Sequence, residues 1–207
     1  DTAVLLFHGN AGNRGSRVDW MQGLHERGWP VLLLDYRGYG GSEGTPTEKG
    51  FARDADAAAA WLAEHGHERQ VYLASSIGCG VAVGLAARRE PIGLIVQSGA
   101  DDLAVVAGRA YPFLPMRLLM RDRFDVRAAA ASIEAPALSI HGDVDEIVPL
   151  SSGRALHAAL GGPTSFWEVE GAGHNDVVSV AGGEWFERVH AFLAGLEDRP
   201  APPARVK

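Results

Sequence analysis

Short β-branched or leucine-rich runs alternate along this chain with longer stretches of helical periodicity, and that alternation most narrows the folds open to it. The runs are Ala3 to His8, Pro30 to Tyr36, Val71 to Ala74, Ile92 to Gln97, Ala137 to His141 and Thr164 to Val169. Most are apolar throughout rather than alternating with polar residues, as strands are when helices cover both faces of a sheet. Helical patterns fall at Arg17 to Arg27, Gly50 to His65, Ser76 to Arg89, Ser152 to Leu160 and Gly183 to Leu196. Strand followed by helix, repeated, predicts an α/β domain with a mostly parallel, doubly wound sheet of six strands. Between Asp101 and Ile133 two helical pieces, broken by Pro112 and Pro115, replace a single crossover helix. They read as a short helical cap, inserted at 101–133.

A chain of 207 residues with 46% hydrophobic content can bury one sizeable core, so one domain is expected over 1–197. The remaining 198–207 hold Pro200, Pro202 and Pro203 with little apolar content and are expected to be disordered. A net charge of −7 excludes a nucleic-acid binder, which needs clustered surplus Lys and Arg. The single cysteine, Cys79, excludes a disulfide framework and a cysteine zinc site within the chain. No run approaches the roughly 18 apolar residues of a spanning helix. Arg outnumbers Lys 17 to 2, a mark of GC-rich coding and hence of a bacterial source. Targeting is not legible. A cytoplasmic protein and one anchored to a membrane through a segment ahead of Asp1 both fit, and nothing indicates an oligomeric state.

In open α/β sheets functional groups gather at the carboxyl ends of the strands. After the third run comes Ala74-Ser75-Ser76-Ile77-Gly78, a strand-to-helix turn matching the G-x-S-x-G nucleophile elbow with alanine in the first place. Small residues are needed there because strand and helix backbones pass closely around a strained turn. Ala74 adds one methyl, worth about 1–3 kcal/mol of overpacking if nothing adjusts. Taken alone, Ser76 could simply N-cap the following helix. Two further loops change that reading. After the fifth run the chain reads His141-Gly142-Asp143-Val144-Asp145-Glu146-Ile147-Val148-Pro149, and after the sixth Gly171-Ala172-Gly173-His174. The order Ser, Asp, His is that of an α/β-hydrolase triad. The spacing G-x-x-D-x-x-V-P favours Asp145 over Asp143 as the carboxylate that orients His174. An oxyanion hole needs two backbone N–H groups, one from the residue after the nucleophile, Ile77. The second is expected from Asn10, in the loop His8-Gly9-Asn10-Ala11-Gly12-Asn13. No Gly-Lys-Ser/Thr follows that loop, and Gly38-Tyr39-Gly40-Gly41-Ser42-Glu43-Gly44 places its third glycine one position late, so neither a P-loop nor a dinucleotide fingerprint is present.

With these parts in place the chain resembles the α/β-hydrolase superfamily from residue 4 to about 196. LFHGNAGN, DYRGYGGSEG, HGDVDEIVP and GAGHND look most like the membrane-associated branch with protein depalmitoylases, lysophospholipid lipases and their bacterial relatives. The resemblance implies a serine hydrolase acting on small acyl esters or thioesters through an acyl-enzyme, without metal or other cofactor. It also implies two strands ahead of the first run, so the chain is expected to start inside its domain. Perhydrolysis or acyl transfer by the same triad, and a non-catalytic binding scaffold of this fold, remain open. Phe113, Leu114, Leu118 and Leu119 lie near where the family places its lid and could line an acyl slot, with Arg117 and Arg121 toward an anionic head group or membrane surface. The plainer reading of that stripe is a helical cover over the core. Cys79 reads as a small packing residue, His65 and His67 as solvated residues at a helix end, and Asp35 and Arg37 as braces for the loop after their strand.

Overall fold

The structure, a computed structural model, describes residues 2–202. Six strands form one sheet in the order β2-β1-β3-β4-β5-β6, parallel at every pairing. They are β1 Thr2–Phe7, β2 Val31–Leu34, β3 Arg69–Ser75, β4 Gly93–Gln97, β5 Ala137–Gly142 and β6 Thr164–Val169. The helices are α1 Val18–His25, α2 Glu48–Glu64, α3 Ile77–Arg88, α4 Leu103–Ala110, α5 Met116–Leu119, α6 Arg127–Ala130, α7 Leu150–Ala159, α8 Val177–Ala181 and α9 Gly183–Ala194.

The two-residue period of a strand divides the core into two layers. Ala3, Leu5 and Phe7 of β1 join Tyr72, Ala74, Leu94 and Val96 on one face, under Phe51, Ala55 and Leu62 of α2 and the small side chains of α3. Val4 and Leu6 join Val71, Leu73 and Ile95 on the other, under Trp20 and Leu24 of α1 and Trp185, Val189 and Leu193 of α9. From β1 the chain steps outward to β2, and then from β3 onward in the opposite direction. The loops after β1 and β3 therefore part at the carboxyl end of the sheet, the place where such folds leave a crevice. Phe7 pairs with Ala74 and Ser75 with Gln97, so the His8-Gly9 turn ends up beside Ser76.

Several boundaries differ from the sequence reading for local reasons. Helix α2 starts at Glu48 because Thr47 caps it, its hydroxyl accepting the Gly50 N–H. Helix α7 starts at Leu150, directly after Pro149, and not at Ser152. The cap consists of three short helices, α4, α5 and α6, instead of two, with Asp102 capping α4 through the Ala104 N–H. Helix α8 was not expected; Gly182, at φ 57°, separates it from α9. Of the tail expected to be disordered, 203–207 lie outside the described residues, while the Arg199 N–H is bonded to Leu196 O. Among the described residues no helix is long and apolar enough to cross a membrane.

Trp185 ties α9 to the sheet: it is fully buried, 5.0 Å from the Trp20 ring, and its indole N–H donates to Gln97 Oε1 at 2.7 Å. Trp185→Ala is expected to lower stability by about 3–5 kcal/mol in urea unfolding, from the cavity and the stranded amide together. A change under about 1 kcal/mol would show that α9 does not hold this face.

Candidate active site

Ser76 sits between β3 and α3 at φ 55°, ψ −125°, a conformation that L residues rarely adopt. Its N–H donates to Gln97 O at 2.9 Å, and its carbonyl accepts the Cys79 N–H at 2.9 Å. The turn can tighten this far because Gly78 has no side chain: a Cβ there would stand 2.7 Å from the carbonyl oxygens of both Phe7 and His8. The methyl of Ala74, by contrast, is fully buried in the core layer, and its carbonyl receives the Cys79 thiol at 3.5 Å. Alanine in the first elbow position is thus accommodated on the strand side, where the packing is side chain to side chain.

Three loops converge on this turn. His174 Nε2 lies 2.9 Å from Ser76 Oγ, and His174 Nδ1 lies 2.8 Å from Asp145 Oδ2. A proton on Nδ1 satisfies the carboxylate and leaves Nε2 as acceptor for the serine hydroxyl. Asp145 is buried, and its Oδ1 accepts the N–H groups of Ile147 at 2.9 Å and Val148 at 2.7 Å. A second histidine, His141, places Nε2 3.4 Å from Asp145 Oδ2 and 2.8 Å from Val148 O. Burial raises the Asp145 pKa, but hydrogen bonds from His141 and His174, the His174 charge and the Val148 N–H together hold it well below the usual carboxylate range. Asp143 points elsewhere, accepting the Gly171 N–H at 2.7 Å and so bracing the loop that carries His174. The sequence places His141 four residues before Asp145 without showing that its ring turns to the carboxylate.

The N–H groups of Asn10 and Ile77 have no intramolecular hydrogen-bond partner among the described residues. Gly9 brings the Asn10 loop against the elbow, since a Cβ on Gly9 would stand 3.2 Å from Ser76 Cβ. Cys79 is buried and its thiol is pushed up to about 12 by burial, which favours the thiol over a thiolate at neutral pH. Asp35 and Arg37 both brace loops. Arg37 grips Asp54 of α2 through two guanidinium nitrogens, and Asp35 Oδ1 accepts the Arg14 N–H at 2.6 Å. Among the described residues no group of three His, Cys, Asp or Glu side chains is placed to hold a metal ion, and the His65 ring stacks on Trp61.

The cap returns to the elbow through Phe124, which packs on Gly80, one turn along α3 from Ser76. It is pinned at its base by the buried Asp102, which accepts from Arg117 at 2.7 Å and Arg127 at 3.0 Å. Arg117 is therefore engaged within the cap. Phe113, Leu114, Leu118 and Leu119 are 96%, 50%, 85% and 58% exposed, so they stand open to solvent and do not enclose a slot.

The chain matches the alpha/beta hydrolase fold family over residues 2–117. An uncharacterised protein of Mycobacterium tuberculosis is 42% identical over 194 residues, covering 92% of this chain and 69% of that protein. Alpha/beta hydrolase domain-containing protein 17B of Homo sapiens is 35% identical over 201 residues, with 92% and 66% covered. The chain spans about two thirds of the length of these relatives. Among solved structures, the Pyrococcus furiosus esterase superposes with a TM-score of 0.78 at 23% identity, covering 94% of this chain and 83% of that one. The Paleococcus ferrophilus monoacylglycerol lipase superposes with a TM-score of 0.74 at 21% identity, covering 94% of each chain. At those identities the likeness is one of fold.

The lowered pKa of Asp145 has a measurable consequence. A carboxylate whose folded pKa lies below its unfolded value stabilises the fold above about pH 4 and loses that contribution as pH falls further. Between about pH 5 and pH 2 the wild type is expected to lose more unfolding free energy than Asp145→Asn, measured by urea titration at each pH. Parallel pH profiles for the two proteins would contradict a carboxylate held in its ionised form by these hydrogen bonds.

Proposed function

The chain belongs to the α/β-hydrolase family, and from that premise we propose that it is a serine hydrolase that cleaves carboxylic esters or thioesters. The observation that carries this reading is the single imidazole of His174, within hydrogen-bond reach of Ser76 Oγ on one side and Asp145 on the other. Ser76 Oγ attacks the acyl carbonyl while His174 Nε2 takes its proton. The carbonyl oxygen becomes an oxyanion held by the N–H groups of Ile77 and Asn10, and Asp145 steadies the imidazolium. His174 then gives its proton to the departing alcohol or thiol, leaving the acyl group on Ser76. Water, deprotonated by the same imidazole, releases the carboxylic acid and restores the serine. The esterase and monoacylglycerol lipase that share the fold are consistent with an ester substrate.

Labelling with a fluorophosphonate probe and peptide mapping tests the nucleophile. Modification is expected at Ser76, and Ser76→Ala should lower ester hydrolysis by several orders of magnitude while leaving the protein folded. Ser75→Ala should do far less, and Asp145→Asn should cost much more than Asp143→Asn, because only Asp145 meets the imidazole. Absence of labelling in folded protein would favour a non-catalytic scaffold, and comparable loss at Ser75 would move the nucleophile.

For the acyl side, the exposed cap residues Phe113, Leu114, Leu118 and Leu119 offer open apolar side chains suited to short and medium acyl chains. Leu118→Ala is expected to lower kcat/KM several-fold for medium-chain p-nitrophenyl esters and leave acetate hydrolysis nearly unchanged, in line with about 0.8 kcal/mol per buried methylene. An unaltered chain-length profile would show that Leu118 does not meet the acyl chain.

A further inference from the structure

An oxyanion hole works only if its donors are aimed before the charge develops, and Asn10 is an exposed residue in a glycine-flanked loop. The aiming comes from the neighbouring peptide unit. In a trans peptide the Gly9 C=O and the Asn10 N–H lie antiparallel in one plane, and no cis bond occurs among the described residues. Whatever fixes the Gly9 oxygen therefore fixes the Asn10 hydrogen.

That oxygen lies 2.7 Å from His8 Nδ1, a separation that requires a proton on Nδ1. The His8 ring is fully buried, with ring centroids 4.5 Å from Tyr36 and 5.3 Å from Tyr39. The Tyr36 hydroxyl donates to His8 O at 3.1 Å, anchoring the backbone as well. His8 Nε2 is buried without a hydrogen-bond partner among the described residues and faces Asp35 Oδ1 at 3.5 Å. The same Asp35 oxygen accepts the Arg14 N–H at 2.6 Å, at the far end of the loop. Finally, the Tyr39 hydroxyl donates to Asn10 Oδ1 at 2.5 Å. Burial, outweighing the Gly9 carbonyl and Asp35, lowers the His8 pKa and favours the neutral imidazole with its one proton on Nδ1.

We infer that His8 is a positioning residue for the oxyanion hole. Its Nδ1–H holds the Gly9 carbonyl so that the Asn10 N–H is presented beside Ser76, while Asp35 and Tyr39 hold the two ends of the arrangement. The inference rests on the acyl-enzyme reading above and assigns work to DYRGYG, which that reading leaves idle. A histidine that merely filled a buried aromatic slot would be replaced by phenylalanine without a selective effect on the chemical step.

The test is steady-state kinetics on a short p-nitrophenyl ester, with inhibition by a trifluoromethyl ketone whose tetrahedral adduct on serine carries an oxyanion. His8→Phe keeps the ring and removes the donor, His8→Asn keeps an amide N–H near the Nδ1 position, and Tyr39→Phe deletes one partly exposed hydroxyl. In His8→Phe kcat is expected to fall about ten- to a hundredfold, short of the 10²–10³ of deleting a donor outright. KM should stay within about twofold, and the ketone inhibition constant should rise by the factor that kcat loses. His8→Asn should recover most of that loss, and Tyr39→Phe should shift kcat and inhibition several-fold in the same sense. Unchanged kcat and inhibition in both His8→Phe and Tyr39→Phe, with the wild type active, would overturn the inference alone. So would equal losses in His8→Phe and His8→Asn accompanied by a matching fall in Tm. A folded wild type that neither turns over the ester nor is labelled at Ser76 would overturn the serine-hydrolase reading and this inference with it.

Discussion

Holding Ser76 at φ 55° costs about 1–3 kcal/mol, and the surrounding structure is built so that the turn cannot relax. The pairing of β1 with β3 sets the carbonyls of Phe7 and His8 under the first turn of α3, where only a glycine fits at position 78. Gln97, at the end of β4, does three things at once. Its carbonyl takes the Ser76 N–H and the Cys79 thiol, and its side chain takes the Trp185 indole. The strain at one residue is thus borne by three strands and two helices, and the hydroxyl it exposes has little freedom to turn away from His174.

Around that fixed point two histidines are set differently. His174 pairs with Asp145 and faces the serine oxygen, whereas His8 turns Nδ1 to the Gly9 carbonyl and leaves Nε2 3.5 Å from Asp35 without a hydrogen bond. The Asp145 side chain is fully buried, yet its oxygens are met by two backbone N–H groups and two imidazoles. Burial of so many polar atoms is tolerable because nearly every one has a partner, which also removes the alternatives each side chain could adopt.

The strands were legible because burial on both faces leaves apolar runs that helices of this length do not show, and the loop motifs after β3, β5 and β6 pointed to Ser76, Asp145 and His174, which the fold brings within hydrogen-bond reach in series. Helix starts were less so: Thr47 and Pro149 shift them by two residues through local capping and ring geometry. The cap resisted reading for a different reason. Its four-residue helices are too short for a periodicity, and what holds it is Asp102 reaching Arg117 and Arg127, 15 and 25 positions along the chain. His8 and His141 stood in plain sight inside their motifs. What the letters could not convey was where each ring nitrogen points.

Ser76 and His174 meet across 98 positions of chain, and the contact depends on β5 and β6 having already joined the sheet. During synthesis the serine is therefore exposed long before its imidazole has been made. On the proposed mechanism a nascent or partly assembled molecule carries an ordinary hydroxyl, and activation of Ser76 waits until the loop after β6 brings His174 to it.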